Sequence, residues 1–387
     1  MTKPTRGPGV GVRFAALAVV APLTVAACAS LLGYDDLVPK PTADAAPETA
    51  EVAPDVVDTG VPHAQPPSRP AGDPVASGKG RVVWLAVKRF LLGTQAASGT
   101  PDRNAWRTLG FDLDGVCTGE RESTENTGTC LRPAGASSLS LVDGDECRDN
   151  QFGAQMVTFL SFASSDFEQT GTDAILAGRT TWIFRIDDLD DGDDDAYAPG
   201  SLYKSTYTDP ATPPRFDGTD LREADVESVV GGDLTQPKLR FPKGYMRGGT
   251  WVSGEPTSLS VVVPLSGVSA FVPLDSAVIA FKLDASRKSA VGNVAGVVAG
   301  AKLEGVVRPV AELAGLCPES SMYATILDKL KQFPDVVVGA PNLQDLTKTC
   351  DGVSLAMGLQ LASILPVTTV APSPAPLSRC DAGVDAP

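Results

Sequence analysis

Seven of the nine residues from Asp187 to Asp195 are aspartate, with only Leu189 and Gly192 between them. So much like charge repels itself unless solvent or a cation relieves it, and calcium, a hard cation that takes oxygen ligands, suits such a turn. Asp188, Asp190 and Asp194, placed around Gly192, are the expected calcium ligands. The run departs from an EF-hand loop: with Gly192 as the loop glycine, Leu189 takes the third position and Ala198 the twelfth. The plain alternative is a solvated acidic turn. A second acidic group comprises Asp112-Leu113-Asp114-Gly115, Asp143-Gly144-Asp145 and Asp149-Asn150. Asp112 and Asp114 at alternate positions would share one side of a strand. Two facing carboxylates can hydrolyse a glycosidic bond without histidine; strand-end and turn aspartates are the simpler reading. Asp217-Gly218 is a turn signal.

Much other chemistry is excluded by residue type. The chain has one histidine, His63, in a proline-rich stretch where it is expected to be exposed and idle. A folded region without histidine cannot hold a Ser-His-Asp or Cys-His constellation, nor an HExxH zinc site. No GxxxxGK[ST] phosphate loop is present and no GxGxxG opens a helix. Trp84, Trp106, Trp182 and Trp251 lie in or near expected strands; Trp182, beside the Asp run, is the first candidate to stack on a sugar ring, against a core role for each.

The elements that must position these residues are mainly strands. Arg81–Val87, Trp182–Ile186, Leu259–Val263, Ala277–Leu283, Val291–Val298 and Val353–Leu361 are β-branched, aromatic or alternating runs. Gly292 and Gly296 suggest a strand running close to another backbone. Helices are expected at 150–163, at 306–316 and at 321–333, the last capped by Ser320 and stopped by Pro334. Many strands with few helices give a mainly β fold, a two-sheet β-sandwich or jelly-roll-like domain with a few inserted helices.

The N-terminus reads as an export signal. Lys3, Arg6 and Arg13 precede an apolar stretch at 14–27, too short for a comfortable membrane span. Val25-Ala26-Ala27-Cys28 resembles a bacterial lipobox, in which Cys28 is acylated and becomes the new N-terminus. Two or more acyl chains, palmitate among them, hold a protein stably where one does not. Ala29 resembles the outer-membrane sorting pattern, which places the domain on the periplasmic face or at the cell surface. Loss of Lys3, Arg6 and Arg13 with the leader takes the net charge from −15 to −18. That balance disfavours nucleic acid and electrostatic adhesion to anionic lipid. The expected organisation is a signal peptide at 1–27, a disordered Pro/Ala/Asp-rich tether at 28–80, the β domain at 81–367 and a disordered tail at 368–387.

Beyond Cys28 there are six cysteines, an even set that suits disulfides in an exported chain. Spacing suggests Cys117 with Cys130 and Cys317 with Cys350, leaving Cys147 with Cys380.

The whole chain resembles a group of uncharacterised exported lipoproteins of myxobacteria. The likeness lies in CASLLGYDDLVP (28–39), GFDLDGVCT (110–118), LVDGDECRDNQFG (141–153), the Asp/Gly-rich loop at 183–195, PPRFDGTD (213–220) and CDGVSLAMGLQLA (350–362), in that order. That group has no established activity to carry over, so the resemblance implies only location and architecture. The expected function is that of a membrane-anchored binding or structural envelope protein without catalysis, whose partner is an extracellular polysaccharide or protein. The competing expectation is a carboxylate-based glycan hydrolase or lyase.

Overall fold

The computed structural model describes residues 62–72, 74–157, 167–206, 212–265, 268–313, 315–339, 344–373 and Cys380. The described strands are β1 (Arg81–Leu91), β2 (Cys130–Leu131), β3 (Thr181–Leu189), β4 (Gly200–Thr206), β5 (Glu223–Asp225), β6 (Val229–Val230), β7 (Asp233–Pro237), β8 (Leu239–Phe241), β9 (Tyr245–Arg247), β10 (Thr250–Val252), β11 (Thr257–Leu265), β12 (Val268–Leu283), β13 (Ser289–Ala299), β14 (Asp345–Thr349), β15 (Gly352–Ser363) and β16 (Val370–Ala371). Twelve of them form one sheet in the order β16-β5-β4-β3-β1-β15-β13-β12-β10-β9, with β11 on β12 and β8 on β4.

The fold is mainly β with a few short helices, and its packed layers come from one continuous sheet curled over on itself. Rings on distant strands meet inside. Phe184 of β3 lies edge-on to Phe281 of β12 at 5.2 Å, and Trp251 of β10 stacks on Phe281 at 4.9 Å. The curl brings β9 back to the β3–β4 turn, where Asp195 and Met246 exchange two backbone hydrogen bonds of 2.8 Å. The Ala198 N–H donates to Gly244 O across the same seam. Such closure pairs an edge that would otherwise stay open.

β15 shows how the sequence serves two layers. Val353, Leu355, Met357, Leu359 and Leu361 point into the main core, as their alternation predicts. The opposite face carries Ala356, beside Ala295 of β13, in a second core packed under Leu109, Phe111 and Leu113. Small residues there let the loop at 109–115 lie close. Gly110, at φ 93°, is so near that a Cβ would meet the Ala356 methyl at 2.5 Å. Gly292 also bears out its reading, since a Cβ there would fall 2.1 Å from Ala280 O.

Of the expected helices, Leu303–Leu313 and Ser321–Leu330 form. The Ser320 hydroxyl accepts from the Tyr323 N–H at 3.2 Å and caps the latter. The stretch expected at 150–163 shows a short π-turn at Phe152–Met156, and 158–163 fall outside the described residues.

Three boundary and pairing expectations need correction. Residues 62–80 are not free spacer: they lie along the folded unit, the Ala64 N–H donating to Glu146 O and the Asp112 N–H to Ala64 O. The tail is not wholly loose, because Val370 and Ala371 pair in parallel with β5. The six cysteines do form three disulfides, but as Cys117–Cys147, Cys130–Cys350 and Cys317–Cys380. Nearness in sequence misled: Cys130 starts β2, which pairs in parallel with β14, and β14 leads to Cys350. Cys28 and the leader lie outside the described residues. Among those described, no helix is long and apolar enough to cross a membrane.

Candidate functional site

The loops laid over β13 and β15 carry the densest set of titratable groups. Asp112, Asp114 and Asp149 are 3, 3 and 1% exposed, and one oxygen of each lies within 4.8 Å of the others. Asp143 and Asp335, also buried, raise the charge around them. His63 reaches in from the arm and bonds the Asp112 carboxylate through Nδ1.

Backbone donors hold each carboxylate in place. Asp112 accepts from the Gly115 N–H at 2.7 Å and Asp114 from the Val116 N–H at 2.7 Å, so both sit in turns, the simpler of the two readings of their sequence, and not on one side of a strand. Asp149 accepts from the N–H groups of Leu113 (2.6 Å) and Asp114 (3.2 Å). Asp143 accepts from the Thr118 N–H, and the Thr129 hydroxyl donates to Asp114. Asp335 accepts from the Ser354 N–H at 2.8 Å and from its hydroxyl. Asn150 ties the set to the sheet, its Oδ1 accepting from the Ala356 N–H at 3.0 Å. Two disulfides brace the same place: Cys117–Cys147 joins the two loops, and Cys130 Sγ lies 3.3 Å from Asp335 O.

Charge in this setting is costly. Burial pushes the Asp114 carboxyl up to about 8, opposed by the Thr129 hydroxyl and reinforced by Asp112. Burial likewise raises Asp335 to about 7 against its Ser354 hydrogen bonds. Asp143 and Asp149 are held well above the usual carboxylate range by burial and then by the charge of Asp114. Among the described residues, the His63 ring is the one basic side chain bonded to these carboxylates. Two things can neutralise such a group, protons shared among the carboxyls or a hard divalent cation. Asp112, Asp114 and Asp149 are the residues that would hold the cation, and an all-oxygen donor set suits calcium.

No protein-family model, curated protein or solved structure matches the chain.

The Asp run expected to bind calcium is placed elsewhere and does not converge. Asp188, at φ 50°, accepts from the N–H groups of Gly78 (3.1 Å) and Gly80 (2.9 Å), and the first of these bonds leads in holding its carboxyl below the usual range. Asp190 accepts from the Ser77 hydroxyl at 2.8 Å. Asp194 pairs with Arg247 and accepts from the Gly248 N–H. Arg287 donates to the carbonyls of Asp190 and Gly192 and relieves the turn's charge from beneath. This turn anchors the backbone at 78–80 and at 248.

Trp182 is likewise no sugar platform: it is 1% exposed, packed against Phe90. His63 is the clearest miss, since it lies at the site and not idle in solvent. Asp335, between a helix end and β15, carried no sequence signal. The motifs GFDLDGVCT and LVDGDECRDNQFG did mark the two loops that meet.

Proposed function

We propose that this chain is an exported, lipid-anchored envelope protein whose folded unit binds or braces and does not turn over a substrate. The observation that carries this reading is the sealing of its carboxylate cluster. Asp112 and Asp114, the pair on which a glycan hydrolase or lyase would depend, are buried and locked into turns by backbone N–H groups. A glycosidase needs its two carboxyls open to a sugar from opposite sides. Buried groups braced by two disulfides instead serve to hold loops in register. The lipobox at Cys28, the acidic surface and the six further cysteines support placement outside the cytoplasm, with an outer-membrane anchor and a polysaccharide or protein as partner.

The test has two arms. In cells fed labelled palmitate, the native chain should take up label and Cys28→Ala should not; label retained by the variant would remove the anchor. The purified protein should bind extracellular glycan or envelope protein without releasing product. Sustained release of reducing sugar, lost in Asp112→Asn, would replace this reading with the hydrolase.

A further inference from the structure

The arm that precedes β1 makes contacts far out of proportion to the apolar surface it buries. It touches the folded unit at three places. Near its start, the His63 ring, the Ala64 N–H and the Gln65 side chain bond to Asp112 and Glu146. In its middle, Pro67 O accepts from the Tyr245 hydroxyl at 2.6 Å. The Arg69 guanidinium lies over the Tyr245 ring at 4.6 Å and donates to Ala196 O and Lys243 O, each at 2.5 Å. At its end, Ser77, Gly78 and Gly80 bond to Asp188 and Asp190 just before β1.

The middle contact has a particular position. Ala196 lies on the β3–β4 turn and Lys243 precedes β9, so Arg69 joins the two sides of the seam at which the sheet closes. Yet the arm has no strand or helix, and of its described residues only Ala64 and Pro70 are buried. Residues 71, 72 and 74–79 are exposed. Segments with few buried apolar contacts and solvent-facing hydrogen bonds open locally at small cost relative to the sheet.

We propose that residues 63–70 are a detachable strap that clasps the sheet's seam and fixes how much chain separates the folded unit from its anchor. The reach part rests on the lipid-anchor reading; the clasp does not. Docked, the strap places the start of the spacer at His63. Released as far as the foot of β1, residues 63–79 add up to about 55 Å of contour at roughly 3.3 Å per residue. The fixed end is Gly80, whose N–H donates to Asp188 where β1 begins. The segment that covers the seam is the protein's own, so no outside ligand is required.

Hydrogen exchange on the full-length chain in detergent tests the clasp. The Ala64 and Asp112 amides should exchange at least tenfold faster than the amides of β13 and β15, and at least tenfold slower than a free peptide. Exchange at the sheet's rate would make the arm an integral part of the fold, and exchange at the free rate would mean it is not docked; either overturns the proposal. Ala64→Pro with Arg69→Ala, which alters only the arm, should bring the Asp112 amide to the free rate with β13 and β15 unchanged. Exchange accelerated throughout the sheet would again count against a detachable strap. On a supported bilayer, neutron reflectivity should place the double variant's domain farther from the lipid than the native one. Equal heights overturn the reach role; native protein that fails to bind the bilayer overturns the anchor and leaves the clasp standing.

Discussion

The turn at 187–195 concentrates aspartate in sequence and disperses it in space. The cluster at Asp112, Asp114, Asp143, Asp149 and Asp335 does the reverse. In the turn, Asp188 and Asp190 share the Ser77 hydroxyl while Asp194 faces Arg247 and Gly248, and solvent helps to carry their charge. In the cluster, carboxylates from separate loops meet out of water, and burial raises the pKa values of Asp114 and Asp335 where hydrogen bonds lower that of Asp188. Local density of charge tells how a loop will be solvated. Convergence of charge is decided by which loops the core and the disulfides bring together.

The cluster should suffer most from loss of Cys130–Cys350. That bond closes 220 residues, and it braces the loop that carries Thr129 against the strand that follows Asp335. Replacing both cysteines by alanine should cost about 5 kcal/mol on the chain-entropy estimate, read as a lower denaturation midpoint. Next is Asp149→Ala, which strands two buried N–H groups, those of Leu113 and Asp114. About 2–6 kcal/mol should be lost, from roughly 1–3 per unmatched donor; a loss near zero would mean that the loops are not held this way.

The response to pH and calcium separates the two regions directly. Folded Asp114 and Asp335 hold protons to about 8 and about 7, whereas unfolded carboxyls lose theirs near 3.9. In metal-free buffer this contribution to stability is therefore full below about pH 4 and is lost as the pH rises through about 7 and then 8. Urea midpoints from pH 4 to pH 9 should show that fall. A cation able to replace those protons should restore about 2.7 kcal/mol at a hundredfold excess over its dissociation constant. Calcium should then raise the melting temperature more at pH 8.5 than at pH 5. Asp114→Asn should abolish the effect and Asp188→Asn with Asp190→Asn should keep it; the opposite pattern would return the ion to the turn. With no calcium effect at either pH, shared protons alone would neutralise the cluster. The smallest change is expected from Asp194→Ala, whose ion pair with half-exposed Arg247 is screened by water. Its melting curve should overlay the native one.

The strands were legible because their signal is local. Alternation in β15 and the β-branched run in β1 report burial within a few residues, and both form where expected. The capped helix at Ser321–Leu330 was legible for the same reason. The site was half legible. Two of its loops stood out as Asp/Gly motifs, but nothing near Asp335 or His63 says that either belongs with them. His63 lies among prolines, and only the register of the arm against Glu146 and Asp112 carries it to the cluster. The Asp run offered two readings, a ligand set and a solvated turn, because seven aspartates in nine residues fit both. Their directions depend on the β3–β4 turn and on Arg287, which lies nearly a hundred positions later.

The disulfide connectivity bears on how the protein can be made. On the proposed export route, a chain crossing a membrane N-terminus first would present Cys117 and Cys130 together, while Cys350 is still on the far side. Cys130 must stay unpaired, or be paired wrongly and released, until nearly all of the sheet has followed. Its nearest early neighbour, Cys117, belongs to Cys147. An oxidant acting alone would favour the short mispaired loop, so correct maturation calls for a catalyst that reopens it by thiol–disulfide exchange.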